Sequence, residues 1–327
     1  VHSFNDIIGH HQAVTTLQNA LQAGRVAHAY MFHGPAGAGK SSLARVFAMA
    51  YFCREKPADA CGECADCRKF LQGNYPDYRE ITGSGGAIKI DQVREIQREA
   101  QYTSYEGIGK VFLLTQADNL TPEAANCLLK VLEEPPPGTV FLLTADNPHR
   151  LLPTILSRCQ QIPLRRVSVD EIAGELVNRW GKSPGDARVA ALLSDGLPGK
   201  AIAEALEQSG LGLRREVLSL LEGIKRGEVT ELFSLAEEME KSKEQTRLIL
   251  DLLTLWYRDQ LVWLTTRLPE MIINIDLLEE IKAGEQLGPE RLMTAIDELS
   301  RARGLLAGNA NFRLVLEVLL LKLAKCA

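Results

Sequence analysis

Residues 34 to 42 read Gly34-Pro35-Ala36-Gly37-Ala38-Gly39-Lys40-Ser41-Ser42, and the first eight fit the pattern G-x-x-x-x-G-K-[ST]. Glycines in such a loop let successive backbone N–H groups turn toward a polyphosphate, and the following helix adds its positive end. Lys40 then reaches the outer phosphates and Ser41 can ligate magnesium. A Gly-rich turn without a ligand is the bland alternative. The surroundings favour the phosphate loop: the apolar run Ala29-Tyr30-Met31-Phe32 precedes it and a helical stretch from Lys40 to Phe52 follows. Gly34 through Ser42 are therefore the candidate nucleotide-binding residues, for ATP or ADP with Mg²⁺.

Working outward, Ala13, Leu17, Ala20 and Leu21 lie at helical spacing and predict a helix over 10–24. Two further apolar runs, Val111-Phe112-Leu113-Leu114 and Val140-Phe141-Leu142-Leu143, are separated by a helical segment from Pro122 to Glu134. Each reads as a buried parallel strand, so the fold class is α/β with its ligand at the strand ends. After Pro163 helical periodicity takes over, interrupted at Ser183-Pro184-Gly185, Gly196-Leu197-Pro198-Gly199 and Ser209-Gly210-Leu211-Gly212. The expected parts are a nucleotide-binding module over 1–165, a small helical lid over 166–209 and a helical domain over 210–327. Within the last, Leu248 to Leu264 and Phe312 to Leu323 are amphipathic. The second is apolar around most of its circumference, which suits either a bundle core or a helix buried between subunits.

The 327 residues are 46% hydrophobic and 24% charged, with a net charge of -5 and both signs spread along the chain. A free-standing protein held on DNA by a basic face is disfavoured, since Lys and Arg dominate phosphate neutralisation. No apolar run approaches the roughly 18 residues of a membrane span. The start, Val1-His2-Ser3-Phe4-Asn5-Asp6, lacks the blocks of a secretory signal, so a cytoplasmic location is expected.

Four of the seven cysteines, Cys53, Cys61, Cys64 and Cys67, fall inside fifteen residues. An odd total, clustered, points to metal ligation and away from a disulfide framework. Four thiolates satisfy tetrahedral Zn²⁺, and the two-residue spacers let neighbouring thiolates converge through a turn aided by Gly62. Structural zinc is the favoured reading; a four-thiolate iron–sulfur cluster and unligated structural cysteines are its competitors.

Hydrolysis requires a carboxylate to help hold magnesium and a group to orient water. Their natural place is the end of the second buried strand, yet Thr115 and Gln116 stand there. Asp118, three positions late, reads as a solvated turn residue or a helix cap near Asn119-Leu120-Thr121. The sequence thus supports nucleotide binding better than turnover. Leu128 to Glu134 followed by Pro135-Pro136-Pro137 reads as a helix with a hard stop. Thr82-Gly83-Ser84-Gly85-Gly86-Ala87 lacks the Lys-Ser of a phosphate loop and reads as a flexible connection. Arg158 in Ser157-Arg158-Cys159 is either an ion-pair residue or an arginine supplied to a phosphate site on another chain.

These pieces together resemble bacterial DNA polymerase III clamp-loader subunits of the AAA+ superfamily. The resemblance runs over residues 4–160: Phe4 to Gly9, Arg25 to Tyr30, the phosphate loop, the four cysteines, Ile88 to Arg94, Ala124-Ala125-Asn126 with Leu128 to Pro136, and Thr154 to Cys159. It implies an AAA+ module, a lid, and a helical collar that assembles a five-subunit ring with motor (gamma/tau) and delta subunits, acting on a sliding clamp and primed DNA. It also implies that Arg158 is a trans-acting finger for a neighbouring ATP site, in place of an ion-pair role.

Four departures from the motor subunit follow from the same resemblance. Motor subunits keep Asp-Glu where Thr115-Gln116 stand, and they continue past the collar whereas this chain stops at Ala327. Their γ-phosphate sensor aligns with Asp146, whose charge would repel that phosphate. The lid's sensor arginine aligns near Gly199, with Lys200 as a neighbouring candidate. All four favour a non-motor stator subunit without turnover of its own. Two rivals stay open: the chain is itself the ATPase motor or an independent NTPase, or it is a zinc-stabilised DNA-binding adaptor using Arg54, Lys56, Arg68 and Lys69.

Overall fold

A computed structural model of the chain describes residues 2–83, 86–207, 209–308 and 310–326. Ser84 and Gly85, the middle of the expected flexible connection, lie outside the described residues. The chain divides into two compact units, Val1–Glu171 with Gly196–Lys200, and Ile172–Asp195 with Ala201–Ala327.

The first unit is built on a parallel sheet of five strands, β1 (Ala29–His33), β2 (Tyr78–Ile81), β3 (Lys110–Leu114), β4 (Thr139–Ala145) and β5 (Gln160–Pro163). Their spatial order is β2-β3-β4-β1-β5, and each neighbouring pair runs parallel. Helices α1 (His11–Gln22), α2 (Lys40–Phe52), α3 (Ala65–Leu71), α4 (Ile90–Ala100), α5 (Pro122–Glu133) and α6 (Pro153–Leu156) complete the unit. The near-continuous apolar runs predicted as strands are β1, β3 and β4, the three inner strands. Alternation along them separates two cores. Tyr30, Phe32, Val111, Leu113, Val140 and Leu142 pack on one face. Ala29, Met31, Phe112, Leu114, Phe141 and Leu143 pack on the other. Burial on both faces is why these strands carry no polar residue in their centres.

The second unit is helical. Its elements are α7 (Val169–Trp180), whose first residues belong to the first unit, α8 (Pro184–Leu193), α9 (Pro198–Glu207), which begins in the first unit, α10 (Ser209–Arg226), α11 (Val229–Lys241), α12 (Lys243–Thr266), α13 (Leu278–Ala283), α14 (Gly288–Ala307) and α15 (Phe312–Cys326). The expected break at Ser183 is the start of α8, where the Ser183 side chain accepts from Asp186 N. The segment expected as a break at Ser209-Gly210-Leu211-Gly212 is the start of α10, after α9 has ended at Glu207, and its two glycines are carried within a helix of 18 residues. One core joins Leu220, Ile224, Leu250, Leu253, Leu299, Leu316 and Leu320. Among the described residues no helix is long and apolar enough to cross a membrane.

Candidate functional site

The phosphate loop lies between β1 and α2, at the C-terminal end of the sheet. Its shape depends on glycine at Gly34, where φ is +150° and a Cβ would stand 2.1 Å from Leu164 O. Gly37 and Gly39 also hold positive φ, of +85° and +93°. A backbone turned this way at the first turn of a helix is a cradle for anions, so the residues present fit a polyphosphate.

Parallel pairing decides what stands beside that cradle. Phe32 pairs with Thr144 and His33 with Ala145, and Gly34 N donates to Ala145 O at 3.2 Å. The next residue along, Asp146, is thereby delivered to the loop. Lys40, only 7% exposed, donates through Nζ to Gly34 O and Pro35 O, both at 2.8 Å, and lies 2.6 Å from Asp146 Oδ1. His10 Nε2 donates to Ala38 O of the same loop at 2.9 Å, and burial is the main reason its pKa lies below the ordinary value. Gly199 N donates to Gly37 O at 2.9 Å, and the stem of Lys200 passes over Gly37. The sequence placed Asp146 and Lys200 near this site. It missed His10, and it missed that Asp146 is Lys40's partner, although parallel pairing of the β1 and β4 runs was enough to bring Asp146 alongside Gly34.

At the end of β3, Thr115 is buried and turned away from solvent: its hydroxyl lies 3.0 Å from Thr82 Oγ1 and 3.2 Å from Ile81 O. Gln116 takes a left-handed conformation, and its N–H donates to Thr144 Oγ1 at 3.0 Å. Asp118 is not the cap expected near Thr121. Its Oδ2 accepts from Asn147 N at 3.1 Å, and Thr121 itself caps α5 by accepting from Ala124 N.

Arg158 follows α6. Its Nη2 donates to Glu133 Oε1 at 2.8 Å and its Nη1 to Thr154 O at 3.0 Å. The single chain therefore holds this arginine in the ion pair that the resemblance had set aside. Its side chain remains 35% exposed.

Cys53, at the end of α2, meets Cys61, Cys64 and Cys67, and the four sulfurs lie within 4.8 Å of one another. Cys61 Sγ and Cys67 Sγ are 3.8 Å apart. A tetrahedron with metal–sulfur bonds of about 2.3 Å has edges of roughly that length, so the set fits a metal ion. Cys64 N donates to Cys61 Sγ at 3.3 Å and Cys67 N to Cys64 Sγ at 3.4 Å. The backbone N–H groups of Glu63 and Cys64 hold the Cys61 thiol down at about 7, while burial pushes Cys64 and Cys67 up.

On the helical unit, α15 answers the sequence ambiguity with two faces. Leu316, Leu319, Leu320 and Leu323 are buried. Leu314 and Val318 stand 57% and 44% exposed, and Leu305 of α14, 48% exposed, lines the same groove.

A parallel sheet in the order β2-β3-β4-β1-β5, with a phosphate loop after β1 and helices following, defines a P-loop module of the AAA+ class. Family models described as "DNA polymerase III, delta subunit" and "DNA polymerase III, delta subunit, C terminal" match residues 9–168 and 209–325. The chain is similar to the DNA polymerase III subunit delta' of Bacillus subtilis (strain 168), at 32% identity over 315 residues, with 94% of each chain covered. It is 39% identical to that of Pseudomonas aeruginosa over 208 residues, 61% of each chain. With the DNA polymerase III subunit tau of Bacillus subtilis it shares 28% identity over 349 residues, 98% of this chain and 61% of the longer relative. The chain belongs to the DNA polymerase III delta' subunit family.

Proposed function

We propose that this chain is a stator of the clamp loader. Residues 1–165 act as the AAA+ module, 166–209 as the lid and 210–327 as the collar that holds a ring of motor (gamma/tau) and delta subunits. Arg158 is supplied in trans to the ATP of a neighbouring motor subunit, and Cys53, Cys61, Cys64 and Cys67 hold one structural Zn²⁺. The assembly loads the sliding clamp onto primed DNA.

The observation that carries this reading is the end of β3. Thr115 spends its hydroxyl on Thr82 and Ile81, and Gln116 offers an amide where magnesium chemistry wants a carboxylate. Bound nucleotide would be held by Gly34 to Ser42, with Lys40 at the outer phosphates and Ser41 toward magnesium; Thr115 and Gln116 supply no metal ligand for turnover. Arg158, by contrast, is partly exposed, and its partner is a surface carboxylate that a neighbouring phosphate can displace.

The test is ATP turnover by the purified chain, alone and then mixed with motor and delta subunits. Turnover absent alone, and Arg158-dependent turnover in the mixture, supports the stator. Robust turnover by the chain alone, abolished by Lys40→Ala, replaces it with the motor reading.

A further inference from the structure

We infer that Asp146 is a built-in stand-in for a terminal phosphate, and that it makes the Gly34–Ser41 loop selective for a nucleoside diphosphate over a triphosphate. The inference rests on the proposed reading of this loop as a nucleotide site.

An ammonium group has three protons to donate. On Lys40 they meet three acceptors: Gly34 O, Pro35 O and Asp146 Oδ1. In a loop of this pattern the lysine is the residue that meets the outer phosphates. Here a carboxylate of the same chain already supplies the anion. The Asp146 side chain is 43% exposed, but its backbone is fixed beside the loop by the Phe32–Thr144 and His33–Ala145 pairing and the Gly34 N to Ala145 O bond. Lys40 is buried, so the pair is shielded from solvent on the lysine side.

A triphosphate entering the loop must take Lys40 from this partner. It then places its most charged group beside a carboxylate, a like-charge contact that weakens binding by about tenfold or more at a few ångströms. A diphosphate ends one phosphate short. Its outer phosphate can use the loop's backbone N–H groups, the Ser41 and Ser42 hydroxyls and one Lys40 proton now given to a loop carbonyl, while Asp146 keeps its own contact with Lys40. His33 adds no cation to compensate: burial foremost, then His149 and Lys40, lower its pKa.

The test is calorimetric titration of the whole chain with Mg-ADP and Mg-ATP, for wild type, Asp146→Asn and Asp146→Ala, each checked for folding by thermal melting. Wild type is expected to bind ADP about tenfold or more tighter than ATP. Both variants should tighten ATP about tenfold or more and change ADP no more than about threefold. An unchanged ATP-to-ADP ratio in the variants, equal affinities in wild type, or binding of neither nucleotide by any of the three chains overturns the inference. Lys40→Ala separates the two levels. If it leaves ADP binding intact, the loop is not the nucleotide site and the underlying reading fails. If it abolishes binding while the Asp146 variants keep the wild-type ratio, only the selectivity fails.

Discussion

Arg158 Nη2 donates to Glu133 Oε1 at 2.8 Å, which ties the segment after α6 to the C-terminal end of α5 within one chain. This pair connects the two roles open to an exposed arginine. An ion pair at a surface contributes about 0–1 kcal/mol, because both groups are already well solvated. A finger acting on a neighbouring phosphoryl group is worth about 10³–10⁵ in rate.

The two magnitudes give a prediction. Arg158→Ala is expected to shift the melting temperature of the isolated chain by no more than roughly 3 °C, and to cut ATP turnover at the one neighbouring site it faces in the reconstituted assembly by about 10³ or more. Thermal melting and steady-state turnover check it. A large loss of stability with unchanged turnover would assign Arg158 to the ion pair alone.

The cysteine knuckle predicts a metal dependence. The purified chain should carry about one zinc, and Cys64→Ser or exhaustive chelation should cost about 3 kcal/mol or more. For a unit of this size that is roughly 6–12 °C in melting temperature. Elemental analysis beside calorimetry measures both. An unaltered melting point after complete metal loss would mean the knuckle packs without its ion.

Fold and site were legible to different depths. The strands β1, β3 and β4 stood out because each is buried on both faces and reads as a near-continuous apolar run, and α2 because a mostly apolar stretch from Leu43 to Phe52 follows the loop motif. The outer strands did not. In β2, Tyr78-Arg79-Glu80-Ile81 carries only one buried residue. In β5, Gln160-Gln161-Ile162-Pro163 buries Ile162 alone. An edge strand needs so little apolar surface that its sequence looks like loop. The loop motif was local and could be recognised from spacing. The contacts of His10 with Ala38 and of Asp146 with Lys40 span 28 and 106 residues, and only the folded sheet brings them together.

Gly34 offers a test of the loop itself. With φ at +150° and Leu164 O in the space of a Cβ, Gly34→Ala forces the backbone to move. The expected cost is about 2 kcal/mol, or roughly 4–8 °C. Gly24→Ala is the comparison: it also has positive φ, +62°, but nothing within 4 Å of its Cβ, so it should cost less. Equal losses would show that conformation, and not the close approach of Leu164, governs Gly34.

His10 predicts a pH dependence. Burial lowers its pKa below 6.5, so the unfolded chain binds a proton more readily than the folded one between the lowered value and 6.5. Its contribution to stability is complete above about pH 6.5 and declines as the pH falls through that window. His33, also lowered mainly by burial, acts in the same direction. His10→Gln should therefore flatten, without abolishing, the fall in melting temperature between pH 7.5 and 5.5. An unchanged pH profile in the variant would rule His10 out as a contributor.

The groove on the helical unit separates folding from assembly. Leu305, Leu314 and Val318 contribute little to the core, since each keeps close to half of its surface in water, whereas Leu316 and Leu320 on α15 are fully buried. Leu320→Ala is expected to cost about 2–5 kcal/mol by opening a cavity. Val318→Asp, on the outward face, should cost no more than about 1 kcal/mol in the isolated chain. If this face is the collar surface that meets another subunit, the same aspartate would be desolvated without a partner, and incorporation into the reconstituted ring should fall by tenfold or more, by about the cost of burying an unpaired charge. Calorimetric melting and sizing of the mixed subunits read the two effects separately. Normal incorporation of Val318→Asp would move the assembly surface to another face of the bundle.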